Sequence, residues 1–235
     1  MIEINLLPGK YRRTHPQMNA YKQFVHQWSW VILVAFCVIG LIFPVIGAAA
    51  LICMVAPVMM AFFKGRKWCG VFCPRGSFLD VVLGKMAHKG RIPSLLKQTW
   101  FRILFLGLLM GAFAVQFVLA WGDWLTIGQV FVRMILLTTL AAILLGVLYN
   151  QRAWCLICPM GTMAHWVSGT PAVKNNIPHI VFQKEKCIDC KLCSKHCPVE
   201  IRVHAYHEKG KVLNADCLKC QTCIAKCPKK SLYVA

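Results

Sequence analysis

The stretch SWVILVAFCVIGLIFPVIGAAALICMVAPVMMAFF, residues 29–63, contains no charged side chain. A helix needs about 20 apolar residues, each rising about 1.5 Å, to cross a hydrocarbon core of about 30 Å. This run is therefore too long for one crossing and slightly short for two. Pro44 and Gly47 at its centre favour a break, because proline removes a backbone donor and glycine accepts turn geometry. Two tightly joined helices at 22–44 and 47–63 are expected, with Trp28 and Trp30 at a membrane interface. One crossing followed by a re-entrant segment is the alternative.

Further along, Ile103–Ala120 and Met134–Tyr149 are also uncharged and predict a second pair of helices at 101–120 and 130–150. Their connection, WGDWLTIGQ, holds Asp123 between two tryptophans, and Arg133 follows near the start of the last helix. Arg133 either pairs with Asp123 or extends its head outward to the interface. The segment from Lys64 to Arg102 is dense in basic residues. An excess of lysine and arginine marks cytoplasmic loops, so both termini are expected there, in a multi-pass protein of a prokaryotic cytoplasmic (inner) membrane. The whole chain agrees: 58% of its 235 residues are hydrophobic, and 27 Lys and Arg stand against 8 Asp and Glu for a net charge of +19. Basic residues gathered between long apolar runs indicate contact with membrane lipid and not with nucleic acid. The first residues, MIEINLLPGKYRRTHPQMNAYKQ, show no short apolar core with a cleavage site, and no cleaved signal peptide is expected.

Two hairpins return the chain to the same face, so the segments after residue 63 and after residue 150 share one side. Twelve of the 14 cysteines lie in or beyond those segments. WCGVFCPRGSFLDVV, from Trp68, and WCLICPMGTMAHWV, from Trp154, form an internal repeat of Trp-Cys, a second Cys, Pro, and a Gly two residues later. Cys69 and Cys73 in the first copy, and Cys155 and Cys158 in the second, each supply two thiols, whereas a metal or cluster usually takes four. Three readings stand: a third iron–sulfur cluster shared by both loops, a thiol/disulfide pair, or two stiffened turns. Cys37 and Cys53 sit inside the first apolar run and read as small hydrophobes.

From Thr170 onward the chain is polar and basic, and its length of about 65 residues is near the size at which an apolar core alone becomes marginal. CIDCKLCSKHCP, from Cys187, and CLKCQTCIAKCP, from Cys217, both follow C-x2-C-x2-C-x3-C-P. C-x2-C pairs also make zinc sites, but a triplet plus Cys-Pro, in duplicate, has no use in them. The doubled pattern resembles the bacterial two-cluster ferredoxins. That resemblance implies one [4Fe-4S] cluster on Cys187, Cys190, Cys193 and Cys227, and a second on Cys217, Cys220, Cys223 and Cys197.

No histidine lies within the core of any of the four apolar segments, so a bis-histidine haem in the bilayer is not expected. His26 falls near an interface, and His88 and His165 fall in the short runs after the cysteine loops. There is no C-x-x-C-H, no G-x-G-x-x-G after a strand and no P-loop, and no catalytic residue is identified.

Together the helices, the two Cys-Pro loops and the terminal cysteine pattern resemble the NapH family of ferredoxin-type membrane proteins, and are similar to the membrane and C-terminal part of NosR and to MauN. The resemblance covers nearly the whole chain beyond its first 20 residues. It implies an all-α membrane bundle of four transmembrane helices plus a small α+β ferredoxin domain with two [4Fe-4S] clusters. The domains are then an N-terminal cytoplasmic segment at 1–20, a membrane domain at 21–170 and the ferredoxin domain at 171–235. The family is a quinol-linked electron-transfer component working with partner redox proteins, which implies a quinone or quinol, a partner protein, and a role as a quinol dehydrogenase subunit or, more generally, an electron carrier. The alternative is a redox-sensing or maturation component of a neighbouring reductase. The family motif is C-x3-C-P in both copies, and the second copy here is one residue shorter. The flavin domain of NosR has no counterpart, so no flavin is expected. Lys184, Lys186, Lys191, Lys195, Lys219, Lys226, Lys229 and Lys230 flank the C-terminal cysteines and would steer an acidic partner or solvate the domain.

Overall fold

The computed structural model describes residues 15–86 and 90–235. Most of the N-terminal segment expected at 1–20, and His88, lie outside the described residues. Among the described residues, four helices are long and apolar enough to cross a membrane. The first, α1 (His15–Ile42), ends where the sequence places a break, and a 3-10 turn over Pro44–Ala49 leads into α2 (Ala50–Lys64). Two glycines let this turn lie against the second hairpin. A Cβ on Gly47 would stand 2.2 Å from the carbonyl oxygen of Gly128, and one on Gly128 would stand 2.0 Å from that of Pro44. Backbone meets backbone there, which no side chain would permit.

The second hairpin is made by α4 (Thr99–Leu119) and α5 (Trp124–Leu148). Helix α5 begins at Trp124, earlier than the expected 130. The reason is Asp123, whose carboxylate accepts from Leu125 N at 3.1 Å and from the Thr126 hydroxyl, an N-cap that satisfies donors the first turn leaves free. Asp123 thus serves the helix end and not Arg133, which is exposed.

Each hairpin runs into a cysteine loop and then a helix that opens on proline. These helices are α3 (Pro74–Val81) and α7 (Pro159–Gly169), with the single turn α6 (Trp154–Ile157) forming the second loop. Proline suits the first helical position because its missing N–H would have no partner there. Helix α3 packs on α1, and α7 packs on α2. Beyond them, β1 (Ile180–Phe182) pairs antiparallel with β2 (Leu232–Val234), Ile180 facing Val234. One apolar core joins both parts, running from Leu79, Ala142 and Trp154 to Ile180, Val199 and Leu218. Outward, Leu108, Val118, Leu119 and Leu137 are exposed on α4 and α5, the face a helix turns to lipid.

Candidate metal centres

The C-terminal segment contains two thiol-lined cavities. One is lined by Cys187, Cys190, Cys193 and Cys227 together with Ile188 and Pro228. The other is lined by Cys217, Cys220, Cys223 and Cys197 together with Leu218 and Pro198. Each therefore takes three cysteines from one motif and the Cys-Pro cysteine from the other. Among the described residues, no three His, Cys, Asp or Glu side chains gather closely enough to hold a single ion, as Zn–S bonds of about 2.3 Å would require. Four thiols on the walls of each cavity match the four-cysteine ligand set of a [4Fe-4S] cluster.

The backbone around the two cavities repeats every 30 residues. Asp189 and Lys219, Lys191 and Gln221, and Glu200 and Lys230 form three pairs of non-glycine residues with positive φ, between 50° and 64°. Such conformations cost energy and persist where the surroundings fix them. Here they curl the loops so that amides face sulfur: Ile201 N donates to Cys197 Sγ, and Ser231 N to Cys227 Sγ, both at 3.4 Å. These donors stabilise thiolate in preference to thiol.

The membrane-edge cysteines also come together. Burial pushes the Cys73 thiol up to about 12, and neighbouring Cys69, Cys155 and Cys158 add to the effect. Burial likewise pushes Cys69 up to about 11, with Arg66 and Arg152 opposing it and Cys155 and Cys158 reinforcing it. The unequal spacing of the two motifs is absorbed by the backbone. Residues Trp68–Phe72 wind as a π-turn closed by Cys73 N to Trp68 O at 2.9 Å, while the shorter second loop is an α-turn closed by Cys158 N to Trp154 O at 2.9 Å. The extra residue is thus accommodated as a π-bulge, a device common at functional sites, and both loops deliver the second cysteine and its proline to a helix start.

Two buried arginines cross between the repeats. Arg152, three residues before Cys155, donates through Nη1 to Cys69 O at 2.8 Å and lies 3.6 Å from Cys155 Sγ. Arg66, three residues before Cys69, donates through Nη2 to Cys155 O at 2.5 Å. Each is only 1% exposed. Their passage depends on the repeat's glycines: a Cβ on Gly76 would stand 2.6 Å from Arg152 Nη1, and one on Gly161 would stand 2.8 Å from Arg66 Nη2. Arg152 is held from behind by Asp80, at 2.9 and 2.6 Å, and Asp80 also meets His26 Nε2 at 2.9 Å. Arg66 is held by Asp216 at 2.9 Å, and Asp216 also receives Arg102 at 2.9 and 3.1 Å and lies 2.8 Å from His165 Nδ1. Burial alone would raise both carboxyls, but the guanidinium and imidazole partners override it and hold them well below the usual carboxylate range.

Asp216 precedes Cys217, so the arginine of the first repeat grips the loop that lines the second cavity. The contact is closest at Gly70, between Cys69 and Cys73. A Cβ there would stand 2.1 Å from Leu218 O and 3.2 Å from Cys220 N.

The cysteine motifs do not single out Arg66, Arg152, Asp80 or Asp216. One signal was present: the repeat extends leftward as RKWC at 66–69 and RAWC at 152–155. His26 and His165, read as interfacial residues, are each paired with a carboxylate. Lys219 is corrected. It is buried, donating to Pro178 O at 2.6 Å, and leaves the set of surface lysines.

Comparison with known proteins follows the same division. A family model for a 4Fe-4S binding domain matches twice, at residues 46–93 and 132–178, once on each membrane repeat. A model for a 4Fe-4S dicluster domain matches residues 179–228. The chain is 27% identical over 209 residues to a protein of Escherichia coli strain K12 named "Putative electron transport protein YccM", covering 80% of this chain and 56% of that one. It is 22% identical over 187 residues to the uncharacterized protein MJ0749 of Methanocaldococcus jannaschii, covering 78% and 70% of the two chains. The uncharacterized protein MJ0750 of the same organism is 24% identical over 193 residues, covering 76% of each. No solved structure gives a significant match. The matched models are thus 4Fe-4S binding domains, and among the described residues they occur in one chain with four apolar helices.

Proposed function

We propose that this protein is a membrane-anchored conduit passing electrons between the quinone pool and a partner redox protein. In this reading Cys187, Cys190, Cys193 and Cys227 hold one [4Fe-4S] cluster, and Cys217, Cys220, Cys223 and Cys197 hold a second. Cys69, Cys73, Cys155 and Cys158 hold a third at the end of the helical bundle. When bound, such clusters accept and release single electrons at potentials set by their surroundings.

The observation that carries the reading is the contact between Gly70 and Leu218, which sets the membrane-edge thiols against the loop of the second cavity. The exposed apolar faces of α4 and α5 meet lipid, the phase in which a quinone dissolves. At the other end, the two ferredoxin loops differ in exposure. Leu218 is 1% exposed beneath the membrane-edge loop, whereas Ile188, its counterpart in the first loop, is 56% exposed. Around Ile188, Lys184, Lys186, Lys191 and Lys229 are also exposed, a basic rim that suits an acidic redox protein. The excess of Lys and Arg between residues 64 and 102 supports a cytoplasmic position for the cysteine loops, in a prokaryotic inner membrane.

The test uses the full chain in lipid nanodiscs, with iron–sulfur absorbance followed after addition of a reduced quinol analogue. Bleaching, reversed by the matching quinone, is the expected result. Centres that stay oxidised with every quinol and are not reoxidised by any quinone overturn the conduit.

A further inference from the structure

The two crossed arginines are buried, reciprocal and placed against the four membrane-edge thiols, yet electron transfer as such does not call for them. A purely structural brace between two turns has a simpler solution in apolar packing, because replacing a buried ion pair by well-packed apolar groups is often neutral or stabilising. What the site does need depends on what its sulfurs carry. Four thiols, or two disulfides, are neutral and would leave Arg66 and Arg152 facing uncharged sulfur. Four thiolates around a [4Fe-4S] core form a net anion, which demands cations and N–H donors.

The surrounding charges agree with the anionic case. Three arginines, Arg66, Arg102 and Arg152, meet two aspartates, Asp80 and Asp216, and Asp216 is shared by two of those arginines and His165. Each arginine is paired with an aspartate and also reaches the second cysteine loop: Arg152 Nη1 lies 3.6 Å from Cys155 Sγ, and Arg66, whose Nη2 donates to Cys155 O, has its Nε buried without a hydrogen-bond partner. An unpartnered buried donor is costly, and sulfur of a bound cluster would satisfy it. Other groups packed on this shell are His26 and Gln151 on Asp80, His165 on Asp216, and Arg75, whose guanidinium lies 5.7 Å from the centre of the Trp154 ring and donates to Thr138.

We infer that Arg66 and Arg152 are the charge-compensating and positioning residues of the membrane-edge centre: each one locks the opposite repeat's cysteine loop and raises the centre's potential. This rests on the proposed third centre, so the experiment separates the two. Iron is counted first on the full-length protein in nanodiscs. About twelve irons per chain match three cubanes and about eight match two, and a count of eight, unchanged in Cys69→Ser, overturns the centre and the inference with it.

With twelve irons present, Arg66→Gln, Arg152→Gln and Arg152→Lys are followed by potentiometric titration of the electron paramagnetic resonance signals. The ferredoxin signals serve as the folding control. Each Gln variant is expected to lower the potential of the membrane-edge signal by at least tenfold in its one-electron equilibrium, about 59 mV, or to lose that signal with about four irons. Arg152→Lys, which keeps the charge, should restore occupancy and recover part of the shift. Twelve irons in both Gln variants with an unmoved membrane-edge potential would overturn the inference while leaving the third centre standing. Loss that Lys does not restore, or that extends to the ferredoxin signals, also overturns it, because a general packing role would then account for both arginines.

Discussion

Replacing Asp216 by asparagine tests how the ferredoxin segment is fastened to the helices. The substitution keeps shape and one acceptor oxygen but removes the charge that Arg66 meets at 2.9 Å, Arg102 at 2.9 and 3.1 Å, and His165 at 2.8 Å. Hydrogen bonds to charged groups contribute about 1.5–3 kcal/mol each, and these are not additive because they share one carboxylate. The better guide is the cost of removing one partner from a buried ion pair, about 3–5 kcal/mol. Arg66 and Arg102 are 1% and 4% exposed, so water cannot replace the lost partner without opening the junction. At about 1.36 kcal/mol per tenfold, the equilibrium for lifting the loop at 214–220 off the helices should rise roughly 10²- to 10⁴-fold. Amide hydrogen exchange at Leu218 and Gly70 reads that equilibrium directly, while amides at the β1–β2 pairing serve as an internal reference. A rise of less than tenfold at Leu218 would refute the view that Asp216 is the fastening, and an equal rise in the reference amides would show general unfolding instead.

Three further outcomes follow from the same geometry. Gly70→Ala places a Cβ 2.1 Å from a backbone oxygen and should destabilise the docked state by about 1–3 kcal/mol, read as faster exchange at Leu218; Gly111→Ala, with nothing within 4 Å, should be neutral or gain up to about 1 kcal/mol in helix stability. Cys227→Ser should abolish the same spectroscopic signal as Cys190→Ser, and Cys197→Ser the same signal as Cys220→Ser, because each pair lines one cavity; loss of one signal by both Cys227→Ser and Cys220→Ser would contradict the crossed ligand sets. The folded pKa of Asp80 lies well below the ordinary value of about 3.9, so its contribution is complete above that value and is lost as pH falls below it. Exchange at the α1–α3 contact, corrected for the intrinsic rate, should accelerate as pH falls below about 4.

Much of this was legible because it is local. An uncharged run has only a few ways to satisfy its backbone in lipid, so Pro44 and Gly47 announce the first turn, and the spacing of Cys187 to Pro198 and Cys217 to Pro228 is itself the pattern. Asp123 before an apolar run is also a local signal, since an aspartate at that place caps the helix that starts at Trp124. The arginine crossing could not be derived from spacing. Arg152 and Cys69 are 83 residues apart, and Arg66 and Asp216 are 150 apart, so their pairing exists only once the helices are packed. The shorter second motif is a related case: the count of residues between cysteines differs between the loops, while the backbone turns that contain them end at equivalent helix starts.

The chain carries two internal duplications of sequence, and a duplication by itself has no direction. The two membrane loops and the two ferredoxin loops offer four combinations in which a first could have met a second. The close backbone contact at Gly70 and Leu218 joins the first membrane loop to the second ferredoxin loop, while Ile188 stays on the surface. That choice gives the assembly a polarity that neither duplication has alone, with one C-terminal loop covered by the helical part and the other presented to solution.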